Sequence, residues 1–299
     1  MTTSRDHVFS FDSIGTQWQI VAEQPLGARL GRRVLDRVEA FDRAWSRFRA
    51  DSLVARLAHD GGSVTFPDEA DVLFGLYDQL HTLTDGGVDP LVGRDLELLG
   101  YDPAYTLRPA IAAFDAHQVG GRRRWDDVVT RSGATVTTLG PTLLDVGAAG
   151  KGLLVDILGE LLDADGVTTS LIDGGGDMRS RGSRTDRIGL EHPLNSGLVV
   201  GVVELRGGAA LCASSTTRRT WGRGLHHVLD GRTGLPTTSV VATWVVAANA
   251  MTADGLATAL FTTPAAKLSS HFDFASALML ADGRLEVWGD FPGEVFTTS

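Results

Sequence analysis

Hydrophobic residues along this chain follow strand spacing in some stretches and helical spacing in others. In residues 7–23 they alternate in part, with a polar break at 13–16, which predicts a hairpin or a bent pair of strands. Three stretches with apolar residues at helical spacing are predicted helices: 27–44, 53–58 and 67–83. Asp51 or Ser52 stands where a residue would cap the second of these helices.

Beyond residue 100 the pattern predicts shorter elements. The predicted strands are 125–130, 135–139, 143–145, 167–172, 198–205, 209–213, 240–248, 278–281 and 284–288. The predicted helices are 111–119, a helix that begins near Leu153, and 251–261. Strands and helices mix without strict alternation, and no Pro/Ser-rich linker divides the chain. We therefore expect an α+β fold, with one large domain over 1–299 and mixed, mostly antiparallel sheets flanked by helices.

A loop of small residues separates a predicted strand from a predicted helix near the middle of the chain. Residues 147–152 read Gly-Ala-Ala-Gly-Lys-Gly, and the glycines allow a close approach of the backbone to a ligand. The free N–H groups of such a loop and of the next helix favour an anion, and Lys151 adds a positive charge. One interpretation is a phosphate or diphosphate site. The other is a tight turn with a solvated lysine, and the local pattern does not decide between them.

Charge and composition exclude several classes of protein. The 299 residues carry a formal net charge of −10 without an extended basic face, so we expect no nucleic-acid partner. No charge-free apolar stretch reaches the roughly 18 residues of a membrane span. The single cysteine, Cys212, allows no disulfide within the chain, and the first residues lack a signal-peptide pattern. We therefore expect a cytoplasmic protein without a membrane span.

Two polar residues lie four positions apart in the predicted helix 251–261. Asp254 and Thr258 would share one face of this helix, where a carboxylate and a hydroxyl suit a hard cation such as Mg²⁺. The alternative is that Asp254 is a first-turn residue stabilised by the helix dipole. The apolar setting of Asp254 shifts the balance toward a metal ligand, because a buried carboxylate requires a partner.

Two neighbouring histidines, His226 and His227, precede a glycine-containing turn. Strand alternation directs only one of the two inward. A histidine beside a phosphate site is a candidate general acid or base. A structural histidine is the alternative, and the local sequence favours it.

Seven short motifs occur in an order that resembles the FAD:protein FMN transferases, the ApbE-like family. They are 13–16, 48–52, 88–93, 144–152, 172–176, 227–234 and 253–260. Each motif is weak alone, but together they are spread over nearly the whole chain. The resemblance implies an ApbE-like fold with a T-fold-like duplication. It also implies an enzyme that binds FAD and Mg²⁺ and transfers FMN from FAD to a Ser or Thr hydroxyl of an acceptor flavoprotein, as a phosphoester, with release of AMP.

The resemblance assigns roles to matching positions. His227 would be the base that deprotonates the acceptor hydroxyl. The metal ligands would be the Asp254 carboxylate, the Thr258 hydroxyl and the Ala148 backbone carbonyl. The residues that would contact FAD are Ile14, Phe48, Gly87, Val88, Asp89, Asp145, Lys151 and Val228.

Three positions depart from the family pattern. Ile14 stands where methionine is usual, Phe48 replaces a common tyrosine, and Gly231 replaces a proline. We expect these changes to alter packing around the flavin rather than the metal or the base.

Two other functions stay open at this point. With water as the acceptor, the same site would hydrolyse FAD to FMN and AMP. Alternatively, the protein would bind FAD without catalysis, but the retained metal and base residues argue against this.

A Ser-Gly-Ala-Thr stretch at 132–135 is similar to the Ser/Thr-Gly-Ala-Thr element of the family's acceptors. We interpret it as a hairpin turn.

Overall fold

Strands outnumber helices in the computed structural model, which describes residues 6–110 and 122–296. The strands in chain order are β1 (His7–Ser13), β2 (Thr16–Ala22), β3 (Gly62–Thr65), β4 (Val129–Ser132), β5 (Thr135–Thr138), β6 (Ser170–Asp173), β7 (Asp177–Arg181), β8 (Thr185–Glu191), β9 (Val199–Arg206), β10 (Ala210–Ser215), β11 (Thr220–Trp221), β12 (Leu225–His226), β13 (Leu229–Asp230), β14 (Leu235–Pro236), β15 (Val240–Ala247), β16 (Ala275–Leu280), β17 (Leu285–Trp288) and β18 (Gly293–Val295). The helices are α1 (Gly27–Trp45), α2 (Leu53–Asp60), α3 (Ala70–Leu83), α4 (Val92–Leu98), α5 (Trp125–Val128), α6 (Gly150–Ala164), α7 (Ala250–Ala259) and α8 (Ala265–Leu268).

The largest sheet has eight strands in the order β1-β2-β6-β7-β10-β15-β16-β17, and every neighbouring pair is antiparallel. Two three-stranded sheets, β18-β9-β8 and β3-β5-β4, and two short ribbons, β11-β12 and β13-β14, complete the topology. The described residues therefore form the single α+β domain with antiparallel sheets that the sequence predicts. The T-fold-like duplication stays a prediction.

The large sheet is covered on both faces. On one face, α1, α3, α6 and α7 contribute to the main core, where Leu154, Leu158 and Leu256 are fully buried. On the other face, Trp244 of β15 and Val203 of β9 belong to a second core between the large sheet and the β18-β9-β8 sheet. Because β15 is buried on both faces, its sequence does not alternate and is apolar apart from Thr243.

The first turns of α6 and α7 are linked by hydrogen bonds, because an aspartate in each helix accepts from the backbone of the other. Asp156 in α6 accepts hydrogen bonds from the backbone N–H of Ala250 (3.0 Å) and Met251 (2.9 Å) at the start of α7. Asp254 in α7 accepts one from Gly152 (3.0 Å) at the start of α6. A Cβ atom at Gly152 would lie only 2.2 Å from the Ala250 carbonyl oxygen, so only glycine allows this approach. The contact fixes Asp254 beside the central loop.

Most of the long periodic segments form the predicted elements. The first hairpin turns at Ile14 and Gly15, both with positive φ (51° and 70°). Ser52 caps α2 by accepting a hydrogen bond from the Ala55 N–H (2.9 Å). The helices predicted at 27–44 and 67–83 and the final hairpin are also present, within a few residues of the predicted bounds.

Two strand predictions are wrong. Residues 143–145 belong to no strand, and residues 125–128 form the helical turn α5, so the strand predicted at 125–130 is present only from residue 129, where β4 begins. A short apolar run cannot distinguish these cases, because its length and hydrophobicity do not specify a hydrogen-bonding partner. Among the elements that the pattern missed are β3, β7, β8, β18, α4 and α8. The helix predicted at 111–119 lies outside the described residues. No helix in the described ranges is long and apolar enough to cross a membrane.

Candidate active site

A cavity of about 530 Å³ is lined by the loop at 145–151, the segment 45–49 and the strand end and loop at 213–219. All the site residues that the sequence predicts line this cavity, with the exception of Asp254. They are Ile14, Phe48, Gly87, Val88, Asp89, Asp145, Ala148, Lys151, His227, Val228 and Thr258. Segments that are far apart in sequence therefore meet around one space of a size suited to a small ligand.

The central loop is held by Asp145 rather than by a strand. The Asp145 side chain accepts hydrogen bonds from the Gly147 N–H (2.7 Å) and from Nε of Arg47 (2.6 Å). Its own N–H donates to the carbonyl of Pro90 (2.7 Å). Both carboxylate oxygens of Asp145 thus already have protein partners. Arg47, which no motif singles out, is almost fully buried and orients the carboxylate that the sequence assigns to the ligand.

The loop before α4 is ordered by Asp89. The Asp89 carboxylate accepts hydrogen bonds from the N–H groups of Leu91 (2.8 Å) and Trp125 (3.2 Å), and burial raises its pKa. These bonds shape the loop that lines the cavity with Gly87 and Val88.

The neighbouring turn explains one departure from the family pattern. The Gly231 N–H donates to the carbonyl of Gly87 (2.8 Å). A Cβ atom on Gly231 would lie 2.3 Å from the Gly86 carbonyl oxygen. A proline in this position would lose that hydrogen bond and would collide with the loop.

Lys151 lies between two buried carboxylates. Its ammonium forms a close ion pair with Asp177 and lies 3.8 Å from Oδ1 of Asp254. Burial acts to lower the pKa of Lys151, but the two carboxylates outweigh it and raise the pKa above the ordinary value. The lysine is therefore charged and faces the cavity. One N–H predicted to be free for a phosphate, that of Gly152, instead donates to Asp254.

The predicted metal ligands supply oxygen atoms only. Asp254 is 1% exposed, and burial, followed by the nearby Asp177 carboxylate, raises its pKa to about 8. Thr258 and Ala148 line the adjoining cavity wall. A carboxylate, a hydroxyl and a carbonyl suit a hard cation that keeps part of its water shell. The described ranges contain no group of three His, Cys, Asp or Glu side chains that could hold a metal.

The two histidines have different environments. His226 is buried, its Nε2 lies 2.9 Å from the Thr237 carbonyl oxygen, and its Nδ1 accepts from the Val228 N–H (3.3 Å). His227 lines the cavity, and its Nδ1 is buried without a hydrogen-bond partner among the described residues. Burial, and then the Arg219 guanidinium, lower the pKa of His227 to about 3. His226 is thus structural, and His227 is a neutral imidazole at the cavity.

Aromatic residues that the motifs do not include gather around Phe48. Its ring is stacked with that of Tyr105, with 5.3 Å between centroids and 10° between planes, and the Arg47 guanidinium lies 4.1 Å from its centroid. Tyr101 packs edge-on against Phe48, and its hydroxyl oxygen accepts a hydrogen bond from Nη1 of Arg219 (2.8 Å). No motif includes Tyr101 or Tyr105, and the sequence did not predict that they meet Phe48.

Comparison with known proteins identifies relatives over most of the chain. The model of the ApbE family matches residues 14–278. A protein named FAD:protein FMN transferase from Rhodobacter capsulatus is 34% identical over 226 residues, which are 73% of this chain and 42% of that protein. One of the same name from Vibrio cholerae is 29% identical over 228 residues, 72% of this chain and 67% of the relative. The chain thus spans less than half the length of the first relative.

Solved structures share the fold. The flavin transferase ApbE from Vibrio cholerae superposes with a TM-score of 0.79 at 23% identity, and the match covers 95% of this chain and 96% of the other. The ApbE protein from Thermotoga maritima gives a TM-score of 0.82 at 23% identity, with 94% and 96% covered. These likenesses confirm the predicted architecture.

Proposed function

This chain belongs to the ApbE family, and on that basis we propose that it transfers the FMN moiety of FAD to a hydroxyl group of an acceptor flavoprotein and releases AMP. The observation that carries the proposal is that the residues assigned to the flavin, the diphosphate and the base line one and the same cavity. The proposed cation ligands beside Lys151 and the neutral imidazole of His227 adjoin the same cavity.

FAD would bind through both its ring and its charge. Phe48 and Tyr105, whose rings are stacked on each other, both line the cavity, and such aromatic pairs can extend their stack onto a flat ring system. The Lys151 ammonium at the same cavity would pair with an oxygen of the diphosphate. Val88 and Val228 add apolar surface to the cavity wall.

The donor set beside Lys151 fits Mg²⁺. The Asp254 carboxylate, the Thr258 hydroxyl and the Ala148 carbonyl would hold the ion. Bound there, Mg²⁺ would supply charge stabilisation for a diphosphate that is being cleaved. The residues of the chain would do the rest: Lys151 orients the diphosphate, and the cavity wall holds the ring.

The transfer step balances with one proton acceptor. The hydroxyl oxygen of an acceptor Ser or Thr forms a bond to the phosphorus on the FMN side of the diphosphate. The bond from that phosphorus to the bridging oxygen breaks, and AMP leaves with the bridging oxygen and its electron pair. His227 takes the hydroxyl proton. The imidazole is neutral and can accept this proton, while burial and the Arg219 guanidinium, which lower its pKa to about 3, make it a weak base until a substrate is bound.

The test uses the whole chain with FAD, MgCl₂ and an acceptor domain that carries a Ser/Thr-Gly-Ala-Thr element. We expect AMP to appear in step with a flavin-bearing acceptor peptide, and both to be lost when the acceptor threonine is replaced by alanine. AMP with free FMN and no flavin peptide would instead identify an FAD hydrolase. FAD binding without AMP would identify a binding protein.

A further inference from the structure

Asp177 is a buried charge at the site that none of the family roles includes. It begins β7 and is 1% exposed, and its Oδ2 forms the close ion pair with Lys151. Its Oδ1 is buried without a hydrogen-bond partner in the described part of the chain. A desolvated carboxylate in this state depends strongly on its one cationic partner.

The position of Asp177 is set by the sheet. Its carbonyl accepts a hydrogen bond from the Gly174 N–H (2.8 Å), and its backbone is paired with Cys212 in the central strand β10. The Asp177 carboxylate is therefore held in place by the strand β7, whereas the side chain of Lys151, which it contacts, is long and flexible. Asp177 determines where the ammonium of Lys151 lies.

The alternative partner for Lys151 is the proposed metal ligand. Its ammonium is 3.8 Å from Oδ1 of Asp254, farther than from Asp177. Lys151, Asp177 and Asp254 together carry one net negative charge when all are ionised. Without Asp177 the lysine would neutralise Asp254 and would compete directly with a cation for it.

We propose that Asp177 is a positioning residue that retains Lys151 and so leaves the Asp254 carboxylate available to a divalent cation. This inference rests on the proposed function, because it assumes that a cation binds at Asp254. It assigns Asp177 no direct contact with the ion: the effect is exerted through Lys151.

The experiment measures the affinity of Mn²⁺ alone for the full chain, from the electron paramagnetic resonance signal of free Mn²⁺. We expect Asp177→Asn to weaken binding about tenfold or more, because the released lysine cancels the remaining charge. We expect Lys151→Met to tighten it. The double variant should return to the wild-type affinity or better, because the competitor is gone. Circular dichroism checks that each variant is folded. If Asp177→Asn does not fold alone, the double variant carries the test: it should still bind Mn²⁺ at least as tightly as the wild type, and weaker binding would overturn an action of Asp177 through Lys151.

The possible failures are distinguishable. If the wild type binds Mn²⁺ no better than Asp254→Asn does, the proposed cation site itself is wrong. If wild-type binding depends on Asp254 but Asp177→Asn leaves it unchanged, only the role of Asp177 is overturned. It is also overturned if the double variant stays as weak as Asp177→Asn, or if Lys151→Met alone weakens binding.

Discussion

Asp156 and Asp254 cap each other's helices: each lies in one of the helices α6 and α7 and accepts a backbone hydrogen bond from the first turn of the other. This arrangement explains how a carboxylate comes to be buried beside Lys151 without disrupting the core. It also gives Asp254 two roles, one structural and one toward the proposed cation, that substitutions can separate.

The first prediction separates these roles with two variants. Asp254→Asn keeps an oxygen for the Gly152 N–H but loses the charge. Mg²⁺-dependent AMP release should therefore fall ~10²-fold or more. The melting temperature of Asp254→Asn in the absence of a cation should not fall, because a neutral amide replaces one of the two neighbouring buried carboxylates, Asp177 and Asp254. Asp254→Ala also loses the cap, at a cost of about 1 kcal/mol, and should melt lower. Full activity of either variant in Mg²⁺ would refute the metal assignment.

The second prediction concerns the ring of Tyr105, which is 52% exposed and covers Phe48. If the flat ring of FAD uses this aromatic pair, Tyr105→Ala should weaken FAD binding, by the ~1–3 kcal/mol that aromatic stacking on a base supplies. Tyr105→Phe is the matched control and should bind normally. The measurement is quenching of flavin fluorescence, with ADP as a competitor that lacks the flavin ring. Unchanged FAD affinity in Tyr105→Ala would contradict the prediction.

The third prediction tests the base. His227→Ala should keep its FAD affinity but lose ~10²–10⁴-fold in the rate of FMN transfer, the usual contribution of a general base. His226→Ala is the control, because His226 is held by backbone groups and should affect the melting temperature more than turnover per folded molecule. If FAD affinity collapses in His227→Ala while turnover per bound FAD is normal, His227 is a binding residue.

The fourth prediction is a pH dependence of stability. The pKa of His227 is about 3 in the folded protein, whereas an unfolded histidine has a pKa of about 6.5. Between these values the unfolded chain binds more protons, so His227 lowers the free energy of unfolding as the pH falls through this window. In urea unfolding at pH 4.5 and pH 7, His227→Gln should show a smaller difference than the wild type. His7→Gln, at an exposed position of β1, should not; equal pH dependence in all three proteins would contradict the prediction.

The fifth prediction concerns the acceptor-like stretch at 132–135. Thr135 begins β5 and is paired with both flanking strands, and its hydroxyl lies 3.0 Å from that of Thr65. A threonine held in this sheet is not free to enter the cavity of another molecule. Intact-mass analysis after incubation with FAD and Mg²⁺ should show no covalent FMN on this chain. An added FMN that maps to Thr135 and disappears in Thr135→Ala would show the opposite.

The sequence by itself determined the elements whose burial is one-sided and repeated. Helices α1 and α3, the first hairpin and the final hairpin follow from apolar spacing, because periodicity records which side of an element faces the core. The sequence also determined the family, since seven motifs in a fixed order carry information that no single motif does. The same motifs named residues that the fold brings to one cavity.

Only the tertiary structure decided which groups meet. Asp145 is held by Arg47 from 98 positions away, and Gly152 donates to Asp254 across 102 positions. Asp177 stands in no periodic pattern, and its pairing with Lys151 depends on the place of β7 next to β10 in the sheet. Local spacing carries no information on such contacts, because a charge pair depends on the path of the backbone between its members. The segment 143–145 shows the same limit: its apolar run predicted a strand, but it is a loop that is held by the hydrogen bonds of the Asp145 side chain.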